Sequence, residues 1–177
     1  EKTAKDVQFF WKNGLRFESG DGETFSGRIG GRIQLDAALF SEDSDIEDNI
    51  GDQESGTEFR RVRLYTQGEI NASTPAYYKL QLDFASSDVA FKDVYLGLSD
   101  LPVVGKVQAG HFKEPSSLEQ LTSSKYITFM ERSTPVEAFT PARNTGVMFG
   151  DSFMDKKMTW ALGGFTSTTM EGGDDDG

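Results

Sequence analysis

Apolar and polar residues alternate along most of this chain, and the alternation predicts β-strands. In the segment 78–84, every even position is apolar and every odd position is polar. In the segment 28–39, Ile33 falls on an apolar face and Arg32 on a charged face. Such strands need a core on one side, or lipid outside and water inside. No segment has a sustained helical period, so the pattern predicts an all-β fold.

The predicted strands are joined by connections that alternate in length. We predict an N-terminal hairpin near residues 7–19 and seven strands, at 25–40, 59–71, 77–87, 91–98, 106–113, 144–150 and 157–168. The connections are short at 72–76, 99–105 and 151–156, and long or acidic at 41–58, at 113–143 and from 169 onward, with 88–90 as the exception. Short turns at one end of the strands and long loops at the other are typical of outer-membrane β-barrels.

Aromatic residues fit two different interpretations of these strands. Tyr77, Tyr78, Phe40 and Phe59 fall next to predicted connections, where outer-membrane barrels carry an aromatic girdle at the membrane interface. A soluble β-sandwich would place aromatic residues in its core and would show the same alternation. The pattern alone leaves both folds open.

Composition and charge exclude several classes of function. The 177 residues include no Cys and one His, which excludes disulfides, thiolate metal sites, Cys nucleophiles and multi-His centres. The net charge is −11, but residues 41–58 hold eight acids and no base, and the last seven residues add four acids. The other 17 acids balance 18 Lys and Arg, so the folded body is neutral. A nucleic-acid-binding protein would carry a basic stripe there, and no nucleic-acid partner is expected.

The run from residue 112 to residue 133 carries the most specific motif. It reads Phe-Lys-Glu-Pro-Ser-Ser-Leu-Glu-Gln-Leu-Thr-Ser-Ser-Lys, and later Met-Glu-Arg-Ser. This run resembles the third loop of the phosphate-selective porin O and P family. Three earlier segments resemble that family's first strands in the same order: Gly-Gly-Arg-Ile-Gln at 30–34, Phe-Arg-Arg-Val-Arg-Leu at 59–64 and Tyr-Lys-Leu-Gln-Leu-Asp-Phe-Ala at 78–85.

The resemblance implies an antiparallel outer-membrane β-barrel with 16 strands in the full chain, of which about seven are present here. Residues 1–24 are then an N-terminal periplasmic segment or hairpin, and residues 25–177 are the first part of the barrel. The pore loop at 113–143 is expected to fold into the pore. The resemblance also implies a homotrimer in the bacterial outer membrane, in contact with lipid and lipopolysaccharide.

The same resemblance implies a set of pore-lining and anion-binding residues. They are Arg32, Arg60, Arg61, Ser123, Ser124, Lys125 and Arg132. Guanidinium groups bind phosphate in a bidentate manner, and hydroxyl groups donate hydrogen bonds to its oxygens. Arg60 and Arg61 are adjacent, so strict alternation puts only one of them inside unless a bulge or a strand end intervenes. A structural ion pair with the acidic loop is the alternative for this pair.

The expected function is passive diffusion of small inorganic anions, with phosphate or polyphosphate favoured. Gln120 departs from the family pattern, because phosphate-specific members carry a Lys there, and Lys113 or Lys125 would have to compensate. A general, weakly selective porin is therefore one alternative. A soluble β-sandwich that binds a ligand through residues 113–143 is another. No nucleophile or acid–base pair is evident, so neither catalysis nor a metal or cofactor is expected.

Overall fold

A computed structural model describes residues 5–41, 51 and 54–166, and one antiparallel sheet dominates it. Its nine strands are β1 (Val7–Trp11), β2 (Leu15–Ser19), β3 (Phe25–Ala38), β4 (Gly56–Ile70), β5 (Ala76–Asp83), β6 (Ala90–Leu101), β7 (Gly105–Lys113), β8 (Arg143–Phe153) and β9 (Met158–Thr166). Each strand pairs with the next one in the sequence, from β1 to β9. Two short helices, α1 (Leu118–Leu121) and α2 (Thr134–Phe139), lie between β7 and β8. No helix of the described part is long and apolar enough to cross a membrane.

The all-β prediction is confirmed, and the number of strands is nine because the predicted hairpin forms two of them. Strand β2 pairs with β3, so the hairpin continues the same sheet. The sheet is open within the described residues, since β1 and β9 each pair on one side alone. A sandwich needs a second sheet, and the described residues form one sheet.

One predicted strand, 77–87, ends four residues earlier than expected. The side chain of Asp83 explains why the strand ends at this residue. The Asp83 carboxylate accepts hydrogen bonds from the backbone N–H groups of Val62 and Ala85, at 3.0 and 3.3 Å. A side chain that takes the place of a backbone partner competes with the ladder of sheet hydrogen bonds.

The two longest connections lie at one end of the strands, as predicted, and the connections at the other end are all short. Those at residues 20–24, 71–75, 102–104 and 154–157 are short, and their side of the sheet is called the short-turn end below. The connections at 39–55 and 114–142 are at the opposite, long-loop end, together with 84–89 and the tight turn between β1 and β2. Most of the acidic segment 41–58, and all residues after 166, lie outside the described residues.

The two faces of the sheet differ in chemistry, because successive side chains of a strand point to opposite faces. One face, called the outer face here, is apolar and solvent-exposed. Its most exposed side chains include Ile33 (70%), Leu96 (70%) and Leu162 (69%). A broad exposed apolar surface marks a membrane or protein contact. The opposite face, called the cavity face, carries the polar and charged residues, and the loop 114–142 lies over it.

Four glycines on the cavity face lie directly opposite aromatic residues of the neighbouring strand. The pairs are Gly30 with Tyr65, Gly97 with Tyr77, Gly110 with Tyr95 and Gly146 with Phe165. A Cβ atom on Gly97 would lie 2.2 Å from the Tyr77 ring, so the ring needs a residue without a side chain. Aromatic rings that cover strand glycines help to fix register in curved sheets.

The position of Tyr77 corrects one expectation from the sequence. Its hydroxyl lies 3.3 Å from Gln108 Oε1 and its ring packs edge-on against Tyr95. Tyr77 is therefore on the cavity face and cannot belong to an aromatic girdle on the outer face. Tyr78, one residue later, points to the outer face by the strand period.

Candidate functional site

A cavity of about 740 Å³ lies between the cavity face and the loop 114–142. Its lining is strongly basic. Ten lining residues are Lys or Arg, against two acids, Asp93 and Asp151. The basic residues are Arg28, Arg32, Arg61, Arg63, Lys79, Lys106, Lys113, Lys125, Arg132 and Arg143. A confined surface with one dominant sign of charge raises the local concentration of the opposite ion, so this cavity favours anions.

Two aspartates neutralise three of these cations. Asp83 Oδ2 accepts a 2.6 Å hydrogen bond from Arg63 Nε, and both side chains are 7% exposed. Asp93 pairs with Lys79 on β5 and, at 2.8 Å, with Arg143 on β8. Because the Asp93 network reaches residues of β5 and β8 from β6, it links three strands of the sheet. These three cations form ion pairs that stabilise the wall of the cavity.

Arg32 and Arg61 are different, because neither forms an ion pair with an acid among the described residues. Arg32 Nη2 donates a 2.7 Å hydrogen bond to Ser124 Oγ, while its buried Nε has no partner in the described part. Arg61 is 3% exposed, and its buried Nη2 also lacks a partner there. A buried charged donor left unpaired costs about 1–3 kcal/mol or more, and an anion in the cavity would satisfy it.

The adjacency of Arg60 and Arg61 is resolved by a bulge in β4. Gln34 is opposite Arg61 and Leu35 is opposite Phe59, so Arg60 is the extra residue. Its Nε donates a 2.6 Å hydrogen bond to Glu131 Oε1 on the loop. Arg60 thus reaches the loop and does not line the cavity, whereas Arg61 lines it. Arg60 tethers the loop to the wall.

The loop contributes two serines and a lysine to the cavity. Ser123, Ser124 and Lys125 all line the cavity. Ser124 accepts the hydrogen bond from Arg32, whereas the Ser123 hydroxyl accepts from the backbone N–H of Lys125 at 3.4 Å. The Lys125 side chain is exposed. The structure therefore brings Arg32, Arg61 and these three residues to one cavity.

Arg132 also lines the cavity, but its N–H groups donate hydrogen bonds to the loop itself. Its Nε and Nη2 donate to the backbone carbonyls of Glu119 and Thr122, at 3.2 and 3.1 Å. Glu119 in turn accepts hydrogen bonds from the backbone N–H and the hydroxyl of Ser133, at 2.7 and 2.9 Å. The N–H of Ser133 is the main cause that lowers the pKa of Glu119. Arg132 and Glu119 hold together the two halves of the loop.

Gln120, the departure from the family pattern, is 6% exposed and lines the cavity. Its backbone carbonyl accepts a hydrogen bond from Lys113 Nζ. The Lys113 amino group thus lies next to residue 120. Lys113 and Lys125 both line the cavity.

Sequence reasoning missed five basic residues of the lining. They are Arg28, Arg63, Lys79, Lys106 and Arg143. For Arg28 and Arg63 a signal was available, because each shares the strand parity of a predicted residue, Arg32 or Arg61. Extending the alternation would have identified both as residues of the charged face. The alternation could not have shown which of them is neutralised by an acid, because that depends on contacts between strands.

The Arg60–Glu131 tether predicts a pH-dependent loop. The hydrogen bond from Arg60 is the main cause that lowers the pKa of Glu131, so the link is fully present above the ordinary Glu pKa. It is lost as the pH falls through the lowered value. Since Glu131 is half-exposed, we expect at most about 1 kcal/mol from the pair. A spin label at Phe129→Cys in the intact protein should become more mobile as the pH falls below the ordinary Glu pKa.

In the Glu131→Gln variant, the same label should be mobile already at pH 7 and should respond little to acid. Glu58→Gln is the matched control, because it removes an exposed acid at the same end of the sheet and leaves the tether intact. Equal label mobility in the wild type and in Glu131→Gln at pH 7 would contradict the tether. The absence of native Cys makes the labelling specific.

An apolar outer face, a basic cavity face and a long loop laid over that cavity are features that outer-membrane porins combine. The profile of the family described as "Phosphate-selective porin O and P" matches residues 28–177. The chain belongs to this family of porins.

One relative in Caulobacter vibrioides is an uncharacterised protein, 30% identical over 159 residues. The alignment covers 89% of this chain and 29% of the relative. The chain therefore spans less than a third of the length of the curated relative that it matches. No solved structure matches the chain.

Proposed function

We propose that the cavity is part of a passive diffusion path for small inorganic anions, with phosphate or polyphosphate favoured. The observation that carries this proposal is that Arg32 and Arg61 each keep a buried guanidinium nitrogen without a hydrogen-bond partner, and that neither forms an ion pair with an acid among the described residues. Wall cations that served stability alone would be paired, as Arg63 is with Asp83. Ser124 and Lys125 add a hydroxyl and an ammonium group beside these guanidinium groups.

Phosphate suits this arrangement better than a spherical anion such as chloride does. Its tetrahedral oxygens accept from several donors at once, and a guanidinium group donates through two parallel N–H groups. The cavity also offers Arg32, Arg61 and the loop serines from different directions. Conduction requires an attraction that is shared among several groups, so that an ion can leave one group for the next.

The proposal is tested with the full-length protein in a planar lipid bilayer under a chloride gradient. We expect a reversal potential that shows anion preference, and phosphate added by titration should block the chloride current. A large conductance without anion preference would overturn the anion path. Anion preference without a phosphate block would leave an anion-preferring porin and remove the preference for phosphate.

A general, weakly selective porin is the second candidate, and Gln120 favours it. This residue is uncharged where phosphate-specific members of the family carry a Lys. The Gln120→Lys variant separates the two candidates. If Lys113 already supplies the charge, as its contact with the Gln120 carbonyl indicates, the variant should change the phosphate block by less than about threefold. A gain of tenfold or more would show that the site of the natural protein is incomplete.

For the whole protein we propose a 16-stranded barrel, assembled as a homotrimer in contact with lipid and lipopolysaccharide. The support is the family and the sheet itself. An open edge in lipid leaves backbone N–H and C=O groups unpaired, at several kcal/mol each, and further strands would pair them. The mass of the detergent-solubilised full-length protein, measured by light scattering, tests the trimer. A monomeric mass would contradict it.

A further inference from the structure

Strand β3 is longer than the strand that pairs with its first edge. Strand β2 pairs with residues 26–29 of β3, and its last partner there is Ile29. Strand β3 continues to Ala38, and β4 pairs with its other edge over the whole length. Within the described part of the chain, residues 30–38 therefore have a strand partner on one edge alone.

The hairpin of β1 and β2 ends level with Ile29 because of its turn residues. Asn13 and Gly14 have φ angles of 55° and 118°. Asn-Gly favours a tight hairpin turn, since such a turn needs positive φ at both central residues. The backbone N–H of Lys12 closes the turn with a 3.0 Å hydrogen bond to the Gly14 carbonyl. Strand β2 cannot extend further along β3 without the loss of this turn.

The connection between β2 and β3 keeps the two strands together. The Asp21 carboxylate accepts a hydrogen bond from the backbone N–H of Thr24 at 3.1 Å. The hydroxyl oxygen of Ser19, a fully buried residue, accepts from the same N–H at 3.0 Å. With β2 held in this way, a strand from later in the chain meets residues 26–29 already paired and residues 30–38 open.

The open stretch has the length and the surface of a transmembrane edge. It holds nine residues, and a transmembrane β-strand needs about nine to eleven. Its outer-face side chains include Ile33 and Leu35, which are 70% and 59% exposed. Every second residue of an edge strand points its backbone N–H and C=O groups away from its one partner. In lipid no water replaces the missing hydrogen bonds, so these groups need a strand partner.

We propose that the strand which closes the barrel pairs with residues 30–38 of β3, and that β1 and β2 lie outside the closed ring of strands. The proposal rests on the closed barrel proposed above. The occupant of this edge is a strand of the same full-length chain, because the aligned part covers 29% of the relative and leaves length for further strands. The ring then begins with β3, and β1 and β2 extend its wall at the short-turn end.

The outer face of the hairpin is aromatic and exposed. Trp11 lies on this face, since its partner Leu15 is opposite Ile29 of β3. Trp11 is 78% exposed, and Phe9, two residues earlier on the same face, is 66% exposed. Aromatic side chains form girdles at both membrane interfaces of outer-membrane barrels. The hairpin thus suits the membrane interface at the short-turn end, next to the ring rather than within it.

The test is photo-cross-linking of the full-length protein in lipid vesicles. The photoreactive residue p-benzoylphenylalanine replaces Ile33 in one variant and Phe9 in another, and mass spectrometry of the digest identifies the peptides that become linked. Side chains directly opposite each other on neighbouring strands lie about 5 Å apart, so a link reports a strand neighbour. We expect the Ile33 variant to link to the last strand of the full-length chain, with a yield roughly tenfold above that of the Phe9 variant.

Leu96 is the matched control position, because it lies on the outer face of β6 and is 70% exposed, as Ile33 is. Both neighbours of β6 are described strands, and Tyr78 on β5 and Ala109 on β7 are opposite Leu96. The control variant should link to these two strands and to no later one. Its yield measures how often the probe reacts with a known neighbour in the same lipid.

Deletion of residues 5–22 from the full-length protein gives an independent measurement. Because the diameter of a barrel depends on the number of strands in the ring, a ring that excludes the hairpin keeps its width. We expect the conductance of a single channel to stay within about twofold of the wild type. If β1 and β2 belonged to the ring, the channel would lose two strands and narrow, and that result would overturn the proposal.

The cross-links separate this proposal from the porin proposed above. A link from Phe9 to the last strand, without one from Ile33, would place the closure on β1 and overturn the proposal. A link from Ile33 to a second copy would also overturn it, because the open edge would then serve the contact between subunits. In both cases the anion path, which the phosphate block measures, stands. If neither variant links to a later strand while the Leu96 control links as expected, the closed barrel falls together with the proposed closure.

Discussion

Replacing Arg32 and Arg61 together by Gln should lower the affinity of the pore for phosphate by roughly 100-fold. A hydrogen bond to a charged group contributes about 1.5–3 kcal/mol, and 1.4 kcal/mol corresponds to tenfold in affinity. Both residues keep buried donor atoms that have no partner in the described part of the chain. Removal of these charges takes away attraction for the ion and leaves the ion pairs of the wall in place.

The measurement is the concentration of phosphate that halves the chloride current through the full-length protein. Lys156→Gln with Lys157→Gln is the matched control, since it also removes two positive charges, in a short turn outside the cavity. The control should shift the block by less than about threefold. If the Arg32 and Arg61 double variant shifts it no further than the control does, these two arginines do not bind the ion.

Arg32 has a second role that the single variants separate. Arg32 also donates a hydrogen bond to Ser124 on the loop, so Arg32→Gln removes both the positive charge and this contact with the loop. Ser124→Ala removes the contact and keeps the guanidinium group. We expect Ser124→Ala to increase the current noise that a moving loop produces, with a phosphate block within about threefold of the wild type. A loss of block as large as that of Arg32→Gln would assign the ion contact to the serine.

The strands could be predicted from the sequence because alternation has a period of two and the two faces meet different surroundings. The segment 25–40 was predicted as one strand, and β3 spans Phe25–Ala38. The segment 106–113 differs from β7 by one residue. The hairpin near 7–19 was also found. The predicted strand 77–87 was too long, because the Asp83 side chain replaces ladder partners after residue 83.

The site was harder to predict, because its chemistry depends on partners from distant parts of the chain. Arg60 and Arg61 look equivalent in the sequence. A bulge opposite Gln34 and Leu35, together with Glu131 on the loop, makes one of them a tether. The motif placed Arg132 among the anion contacts. The structure shows its donors on two carbonyls of the loop. The odd or even position of a residue in a strand predicts the face on which its side chain lies. The pairing register of the strands and the position of the loop decide which of the charged side chains lack an ion-pair partner.

The Asp83→Ala variant should destabilise the protein more than any single change at the free arginines. Asp83 and Arg63 form a buried ion pair at 2.6 Å, and Arg63 faces Arg32 across the strand pair. Removal of one partner of a buried pair leaves an uncompensated charge, at a cost of about 3–5 kcal/mol. The variant also removes the acceptor of the Val62 N–H group. The free energy of unfolding, from guanidinium titration of the full-length protein in detergent, measures this loss.

The double variant Asp83→Leu with Arg63→Met tests the reason for that loss. Replacing both members of a buried pair by apolar residues is often neutral, so the double variant should recover most of the stability. It should also keep the phosphate block, because Arg63 is a wall residue and Arg32 and Arg61 remain. A double variant that is stable but has lost the block would show that the paired Arg63 contributes to the anion path. The division between paired wall cations and free pore cations would then be wrong.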